Sequence, residues 1–154
     1  GSTTGTTESV AARIAERLGV AQADVHNVAA ASVEDVKKYD LLLLGHRPGA
    51  AESLQDDWPG FLDKLGRKTS RRRVALFGCG DAGIYSDTFC DAMAEIRTDW
   101  LRRAALRRGI HAEEYPGCGS RLCQDGEAIG WAVDDSASDA ENQMRMELWI
   151  AAIG

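Results

Sequence analysis

The hydrophobic positions of this chain follow two alternating spacings. Val10, Ile14 and Leu18 recur at the spacing of one helix face and stop at Gly19, which predicts an amphipathic helix. Residues 41–44 are instead an unbroken run of leucine, a pattern typical of a strand covered on both faces. Because the two patterns alternate along the chain, they predict an α/β fold, a doubly wound open parallel sheet with helices on both faces.

The remaining predicted elements continue this alternation. Strands are predicted near residues 25–28, over 73–77, over 110–115 and around 129–133. Helices are predicted over 32–38 with Asp35 as a capping partner, over about 57–65, from 87 or 88 to about 108, and over about 139–153. No repeat or low-complexity linker divides the chain, so we expect a single domain over residues 1–154.

Charge and composition narrow the possible partners. The 154-residue chain has a net charge of −6, which argues against nucleic acid and anionic membranes. No apolar run approaches membrane-spanning length and no secretory signal is visible, so we expect a soluble, cytoplasmic protein.

The four cysteines show neither a CxxC motif nor zinc-like spacing with histidine, which predicts free thiols and no metal site. Cys118 and Cys123 are close in sequence, and their pairing is left open.

The first eight residues, GSTTGTTE, combine glycines and hydroxyl side chains immediately before the first predicted helix. Glycine allows a tight turn, and a helix N-terminus directs unpaired N–H groups toward an anion. Five Ser and Thr hydroxyls add further hydrogen-bonding groups, so the loop could hold a phosphate without Lys or Arg. Neither a Walker motif nor a dinucleotide fingerprint is present. The alternative is a Ser/Thr-rich arm that only caps the helix.

Three segments in order resemble the flavodoxin family. Residues 2–7 resemble its phosphate loop, residues 40–45 with 54–62 resemble its third strand and first flavin loop, and residues 74–81 with 85–92 resemble its fourth strand and second flavin loop. A fainter match covers residues 130–135, 141–143 and Trp149. The resemblance spans nearly the whole chain and implies a sheet of strand order 2-1-3-4-5.

The sequence departs from this family at its start. In flavodoxins a strand precedes the phosphate loop and lies between the second and third strands, whereas here the loop begins at residue 1. A gap in the middle of a sheet would leave backbone groups unpaired on both sides, at a cost of about 1–3 kcal/mol each. We therefore expect a strand to occupy this place, supplied either by a preceding apolar segment or by another chain.

The resemblance implies one FMN bound where the three loops meet. The phosphate would lie on the first loop, with the flavin ring between the other two. Tyr85 would stack on the ring and disfavour the electron-rich reduced flavin. The backbone of residues 79–81 would contact the polar edge of the ring, while Asp81 and Asp87 would shape the loop and cap the long helix. The implied cofactor-binding residues are Ser2, Thr3, Thr4, Gly5, Thr6, Thr7, Arg47, Pro48, Gly49, Ala50, Cys79, Gly80, Asp81, Tyr85 and Asp87.

The first flavin loop differs from the family pattern. Gly49 stands where a tryptophan usually covers the other flavin face, and Trp58 is interpreted as a core residue and not as its substitute. Arg47 would stabilise the anionic reduced flavin if it approaches the ring, and the alternative is a solvated loop arginine.

Three functions remain open on the sequence alone. The leading one is a low-potential electron carrier, with no catalytic residues, that passes single electrons between a reductase and an acceptor. Acidic residues in or beside the flavin loops would steer the basic docking faces of these partners. The alternatives are a flavin-dependent quinone reductase, with its substrate in the space left by Gly49, and a binding module that has lost FMN.

Overall fold

The centre of the fold is a parallel sheet built around one long strand. The structure, a computed structural model, describes residues 6–46, 57–66, 72–100, 105–107 and 109–154. Strand β2 (Arg73–Gly80) pairs along one edge with β1 (Leu41–His46). Its other edge pairs with β3 (Ala105–Leu106) at its start and with β6 (Trp131–Asp134) at its end. All three pairings are parallel, which confirms the predicted sheet type.

Helices surround the sheet, and a small hairpin precedes its last strand. The helices are α1 (Thr6–Leu18), α2 (Val33–Val36), α3 (Asp57–Gly66), α4 (Asp91–Glu95) and α5 (Asp139–Ile153). A π-helix continues α4 over Ile96–Trp100, and 3-10 turns cover Gln22–Asp24 and Ala112–Glu114. The hairpin strands are β4 (Cys123–Gln124) and β5 (Glu127–Ala128), paired antiparallel. Within the described part of the chain, no helix has the length and apolar character needed to cross a membrane.

Contacts between residues close in sequence determine the helix ends that were predicted correctly. Helix α1 ends before Gly19, whose φ of +69° suits glycine. Helix α5 begins with a capping box, in which Ser138 Oγ accepts from the Glu141 N–H and the Glu141 carboxylate accepts from the Ser138 N–H. Ser32 and Asp35 form the same arrangement at α2, as predicted. These ends depend on neighbouring residues in the sequence, which is why they could be predicted.

The core forms where aromatic side chains pack on β2. Phe77 of β2 contacts Trp149 of α5 edge-on, and Trp149 in turn packs against Trp131 of β6. Gly45 of β1 makes this packing possible, because a Cβ atom at that position would lie 2.0 Å from the Phe77 ring. Trp58 is 3 % exposed and packs edge-on against Phe61, which confirms its interpretation as a core residue.

A cavity of about 870 Å³ lies beside β1. Its walls include Ile14 of α1, Val28, and Leu42 and Leu44 of β1. Among the described strands, β1 pairs only with β2. Residues 25–28 were predicted to be a strand, but they form an irregular segment along this cavity. That prediction is wrong as stated, because an isolated extended segment becomes a strand only when another strand pairs with it.

Two further predictions about secondary structure are wrong. The helix predicted from 87 or 88 to about 108 covers only part of that range, because Cys90 takes a left-handed conformation (φ 55°) before α4 and residues 105–106 form β3. The strand predicted over 110–115 is instead a single bridge from His111 to Glu127 followed by a 3-10 turn. In both places a contact with a distant part of the chain overrides the local pattern.

Candidate cofactor site

The carboxyl ends of the parallel strands form the edge at which open α/β sheets bind ligands. In the strand register, His46 at the end of β1 lies beside Gly78, and Gly80 at the end of β2 lies beside Asp134 at the end of β6. Strand β2 therefore reaches two residues beyond β1, and the loop that follows it leaves from the centre of this edge.

The N-terminus of α1 lies at the same edge. Thr7, in the first turn of α1, is 3 % exposed, and its hydroxyl is directed at the sulfur of Cys79 at 4.0 Å. This contact joins the residues predicted to hold a phosphate to those predicted to contact a flavin ring. The first turn of this 13-residue helix presents backbone N–H groups and a partial positive charge, which favour an anion. The hydroxyl and amide groups here suit a phosphate.

The loop over residues 81–90 is held in a compact turn. The Asp81 carboxylate accepts from the Ile84 N–H at 3.1 Å, and the Asp81 carbonyl accepts from the Tyr85 N–H at 2.9 Å. The Tyr85 carbonyl accepts in turn from the Thr88 N–H at 3.1 Å. Tyr85 is 49 % exposed, so its ring lies at the surface, where a flat ligand could stack on it.

Asp134 anchors this loop to the end of β6. Its carboxylate oxygen accepts from the Ala82 N–H at 3.0 Å and from both the hydroxyl and the N–H of Ser136. The Ser136 hydroxyl also accepts from the Gly83 N–H at 3.2 Å. The side chain of Asn142 in α5 completes the arrangement, because it bonds both the N–H and the carbonyl of Asp134. The start of the loop is thus fixed by residues about fifty positions away in sequence.

The end of the loop packs against a second segment. The Ser120 hydroxyl donates to the carbonyl of Phe89 at 2.7 Å, and the Asp91 carboxylate accepts from the Arg121 N–H at 2.8 Å. Gly119 approaches Asp87 so closely that a Cβ atom would lie 2.9 Å from its carboxylate. Asp87 does not cap the long helix as predicted, because α4 begins at Asp91 with Cys90 in the capping position.

The structure brings together the described members of the predicted site. Thr6 and Thr7 begin α1, Cys79 and Gly80 end β2, and Asp81, Tyr85 and Asp87 lie in the loop that follows. Ser2, Thr3, Thr4 and Gly5 of the first loop, and Arg47, Pro48, Gly49 and Ala50 of the second, lie outside the described residues. Within the described ranges, no three His, Cys, Asp or Glu side chains are grouped so that they could hold a metal ion.

Sequence reasoning missed the residues that support the loop. Residues 130–135 and 141–143 were matched to the family tail, but no role was assigned to Asp134, Ser136 or Asn142. The sequence did contain a signal for this role, because Asp134 comes directly after a predicted strand and is followed by Ser136 and by the start of a predicted helix. The partner of Asp134 in the 81–90 loop could not be identified without the register of β6 against β2.

Comparison with known proteins agrees with this geometry. The family model described as flavodoxin matches residues 1–149. Flavodoxin 1 of Escherichia coli K12 is 37% identical over 160 residues, covering 99% of this chain and 89% of the E. coli protein. The flavodoxin of Haemophilus influenzae is 34% identical over 156 residues, covering 99% and 90%.

Solved structures show the same fold. The Fusobacterium nucleatum flavodoxin bound to flavin mononucleotide superposes with a TM-score of 0.81 at 20% identity, covering 99% of this chain and 92% of that one. Oxidised flavodoxin 2 of Bacillus cereus superposes with a TM-score of 0.59 at 22% identity, covering 98% and 92%. With the family model and the relatives of 34% and 37% identity, these likenesses show that the chain belongs to the flavodoxin family.

Proposed function

We propose that this protein carries single electrons between redox proteins on one bound FMN. The observation that carries the proposal is the contact between Thr7 and Cys79, which places the start of α1 beside the end of β2 and the 81–90 loop. Bound FMN supplies a redox centre that accepts and releases electrons one at a time. The relatives matched at 34–37% identity are flavodoxins, and a structural neighbour holds FMN.

The phosphate end of the site is assigned to residues 2–7. The N–H groups at the start of α1 supply donors for a phosphate dianion, and the buried Thr7 hydroxyl would supply another by turning its proton from Cys79 to the phosphate. Because a loop of this length would enclose a terminal phosphate, we expect FMN to bind far better than FAD.

The ring end is assigned to the 81–90 loop and the end of β2. The half-exposed ring of Tyr85 can stack on the flavin while the turn from Asp81 to Thr88 holds its backbone. The backbone of Cys79, Gly80 and Asp81 would contact the polar edge of the ring. Asp134 would position this loop, since its carboxylate accepts a hydrogen bond from the Ala82 N–H.

The opposite face of the ring is assigned to the first flavin loop. Arg47, Pro48, Gly49 and Ala50 would line it, with Arg47 favouring the anionic reduced flavin and Gly49 leaving the ring uncovered. Replacing Gly49 with Trp tests this assignment, because a second stacked ring should tighten FMN binding.

The partners are proposed to be a reductase and an acceptor with basic docking faces. The net charge of −6 supports this, as does the position of Asp87 within the 81–90 loop and of Asp91 directly after it. Electron transfer to a basic c-type cytochrome should slow as ionic strength rises, because salt screens such steering. A rate that does not depend on salt would contradict the charge argument.

The two other functions considered from the sequence are not favoured by the relatives. Purified protein that lacks the visible absorbance of a flavin, and that cannot be loaded with it, would support a flavin-free binding module. Steady turnover of NAD(P)H and quinone without an added reductase would support an enzyme.

The central test is a titration of the apoprotein with FMN and with riboflavin, which lacks the phosphate. We expect FMN to bind more tightly, because riboflavin cannot use the donors at the start of α1. Equal affinities would overturn the assignment of the phosphate loop.

A further inference from the structure

Arg145 is a buried cation that no acidic side chain of the described residues neutralises. It lies on the core-facing side of α5 and is 7 % exposed. Its Nε and Nη1 atoms are fully enclosed and donate to no acceptor. The acidic residues nearest in α5 have other partners, because Glu141 caps the helix and Glu147 pairs with Arg17. A guanidinium does not lose its proton in proteins, so the buried positive charge persists.

An aromatic ring covers part of this guanidinium. The Cζ atom of Arg145 lies 4.6 Å from the centre of the Tyr115 ring, a distance typical of a cation–π contact. Two hydrogen bonds between the Tyr115 hydroxyl and the backbone of Ala132 hold the ring in place. Burial, the largest influence, raises the pKa of Tyr115 well above its ordinary value, so the phenol stays neutral and supplies no compensating charge.

Two further buried donors lie where α5 packs on β6. Trp149 follows Arg145 by one helical turn on the core-facing side of α5, and its ring packs against that of Trp131 at a centroid distance of 5.9 Å. The Nε1 atoms of both indoles are enclosed and donate to no acceptor. This junction therefore combines one positive charge with several buried N–H donors that the protein leaves unsatisfied. Such groups are costly unless a ligand accepts their hydrogen bonds.

We propose that Arg145 binds a monovalent anion of the size of chloride at this junction. A halide accepts hydrogen bonds without donating any, and it compensates the guanidinium charge, which a water molecule does not. The ion must be small, because Trp131 and Trp149 are fully buried and Arg145 nearly so. The exposed part of Arg145 gives the ion a route from solvent. This site is separate from residues 2–7, to which the FMN phosphate is assigned.

The dependence of stability on the anion tests this proposal. The melting temperature of the holoprotein is measured with excess FMN as sodium chloride or sodium bromide replaces sodium gluconate at constant ionic strength. A ligand that binds only the folded state stabilises it by mass action, so the melting temperature should rise and then level off logarithmically. We expect a rise of about 3–6 °C at an ion concentration ten times the Kd.

Two substitutions separate this site from general salt effects. Arg145→Met removes the charge while keeping an unbranched side chain, and it should lose the halide-dependent rise. Arg17→Met is the matched control, because Arg17 lies on the neighbouring helix α1 and its side chain is 53 % exposed. This control should keep the rise. An equal response in the parent and in Arg145→Met would overturn the proposal.

A direct measurement on the parent protein covers the case in which Arg145→Met does not fold. Crystals of the holoprotein soaked in sodium bromide should show an anomalous scattering peak in contact with the Arg145 guanidinium. A water molecule without anomalous signal at this place, or no density there, would overturn the proposal. The FMN titration is independent of both measurements, so failure of one proposal does not imply failure of the other.

Discussion

The phenol of Tyr115 makes two hydrogen bonds with the backbone of Ala132. It donates to the Ala132 carbonyl at 2.9 Å and accepts from the Ala132 N–H at 2.8 Å. Strand β6 pairs with β2 on its other edge, so this hydroxyl takes the place of a neighbouring strand at one residue. Burial, the largest influence, raises the pKa of Tyr115 well above its ordinary value, so the hydroxyl stays protonated and able to donate.

Replacing Tyr115 with Phe should destabilise the protein by about 1–3 kcal/mol, because it leaves two buried backbone groups without a partner. Urea denaturation of the holoprotein measures the change. Tyr39→Phe is the matched control, since the Tyr39 hydroxyl donates to Asp24 at an exposed position. The Tyr39→Phe substitution should lower the free energy of unfolding by about 0.5 kcal/mol or less. Equal losses in the two variants would contradict the role given to the Ala132 contacts.

Thr7→Ala should weaken FMN binding by about 1.5–3 kcal/mol, the usual contribution of a hydrogen bond to a charged group. Riboflavin affinity should stay the same, because riboflavin has no phosphate for this hydroxyl to contact. Thr7→Ser keeps the hydroxyl and should bind FMN almost as the parent does. Fluorescence titration of the apoproteins gives the affinities. A parallel loss for riboflavin would indicate a general disturbance of α1.

Tyr85→Ala should weaken FMN binding by about 1–3 kcal/mol through loss of stacking. It should also raise the potential of the second electron step, because the aromatic ring disfavours the electron-rich reduced flavin. Ile84→Ala is the control, since Ile84 is the neighbouring exposed residue at 72 %. Redox titration of both variants measures the potentials. If the two variants behave alike, stacking by Tyr85 is not the cause.

Asp134→Ala should reduce FMN affinity by about tenfold, although Asp134 is not expected to contact FMN. Its carboxylate holds the backbone at Ala82 and the side chain of Ser136, so its loss frees the start of the 81–90 loop. Asp134→Asn retains an oxygen that accepts these bonds and should restore most of the affinity. Failure of this rescue, with normal thermal stability, would mean that the charge and not the positioning matters.

Alkylation of Cys118 should follow the thiolate population. The neighbouring Cys123 side chain, and after it Ser120, lower the pKa of Cys118 to about 6, so Cys118 is mostly deprotonated at neutral pH and its rate with iodoacetamide should change little between pH 7 and 9. The rate should fall about tenfold per unit below pH 6, as the thiolate gains a proton. In the denatured chain the rate should instead keep rising toward pH 9. Trypsin cleaves after Arg108 and Arg121, and quantifying the alkylated peptide 109–121, which contains Cys118, gives both profiles.

The sequence predicted best what short-range chemistry decides. The ends of α1, α2 and α5 depend on Gly19 and on two capping boxes, which can be read from neighbouring residues. The helix predicted through residues 105–106 failed because those residues pair with Arg73 and Val74, a contact that no local pattern reveals.

The candidate site shows the same difference between features that neighbouring residues decide and features that long-range pairing decides. Motif resemblance assigned Tyr85 and residues 79–81 to the site, and the structure puts the end of β2 and the loop that follows it at one edge of the sheet. The support from Asp134 and Asn142 was missed, because it depends on β6 lying beside β2 in a particular register. Long-range register is the part of the fold that propensity and spacing do not contain.

The pairing of β2 on both edges has a consequence for how the molecule opens. Seven of its residues, 74–80, are buried in succession, and its neighbours β1, β3 and β6 each depend on it. Local fluctuations can release the short outer strands one at a time, whereas exposing the amides of β2 requires losing the sheet as a whole. Hydrogen exchange at Leu76 and Phe77 should therefore report global unfolding. Exchange in the 81–90 loop should report much smaller openings, of the kind that cofactor entry needs.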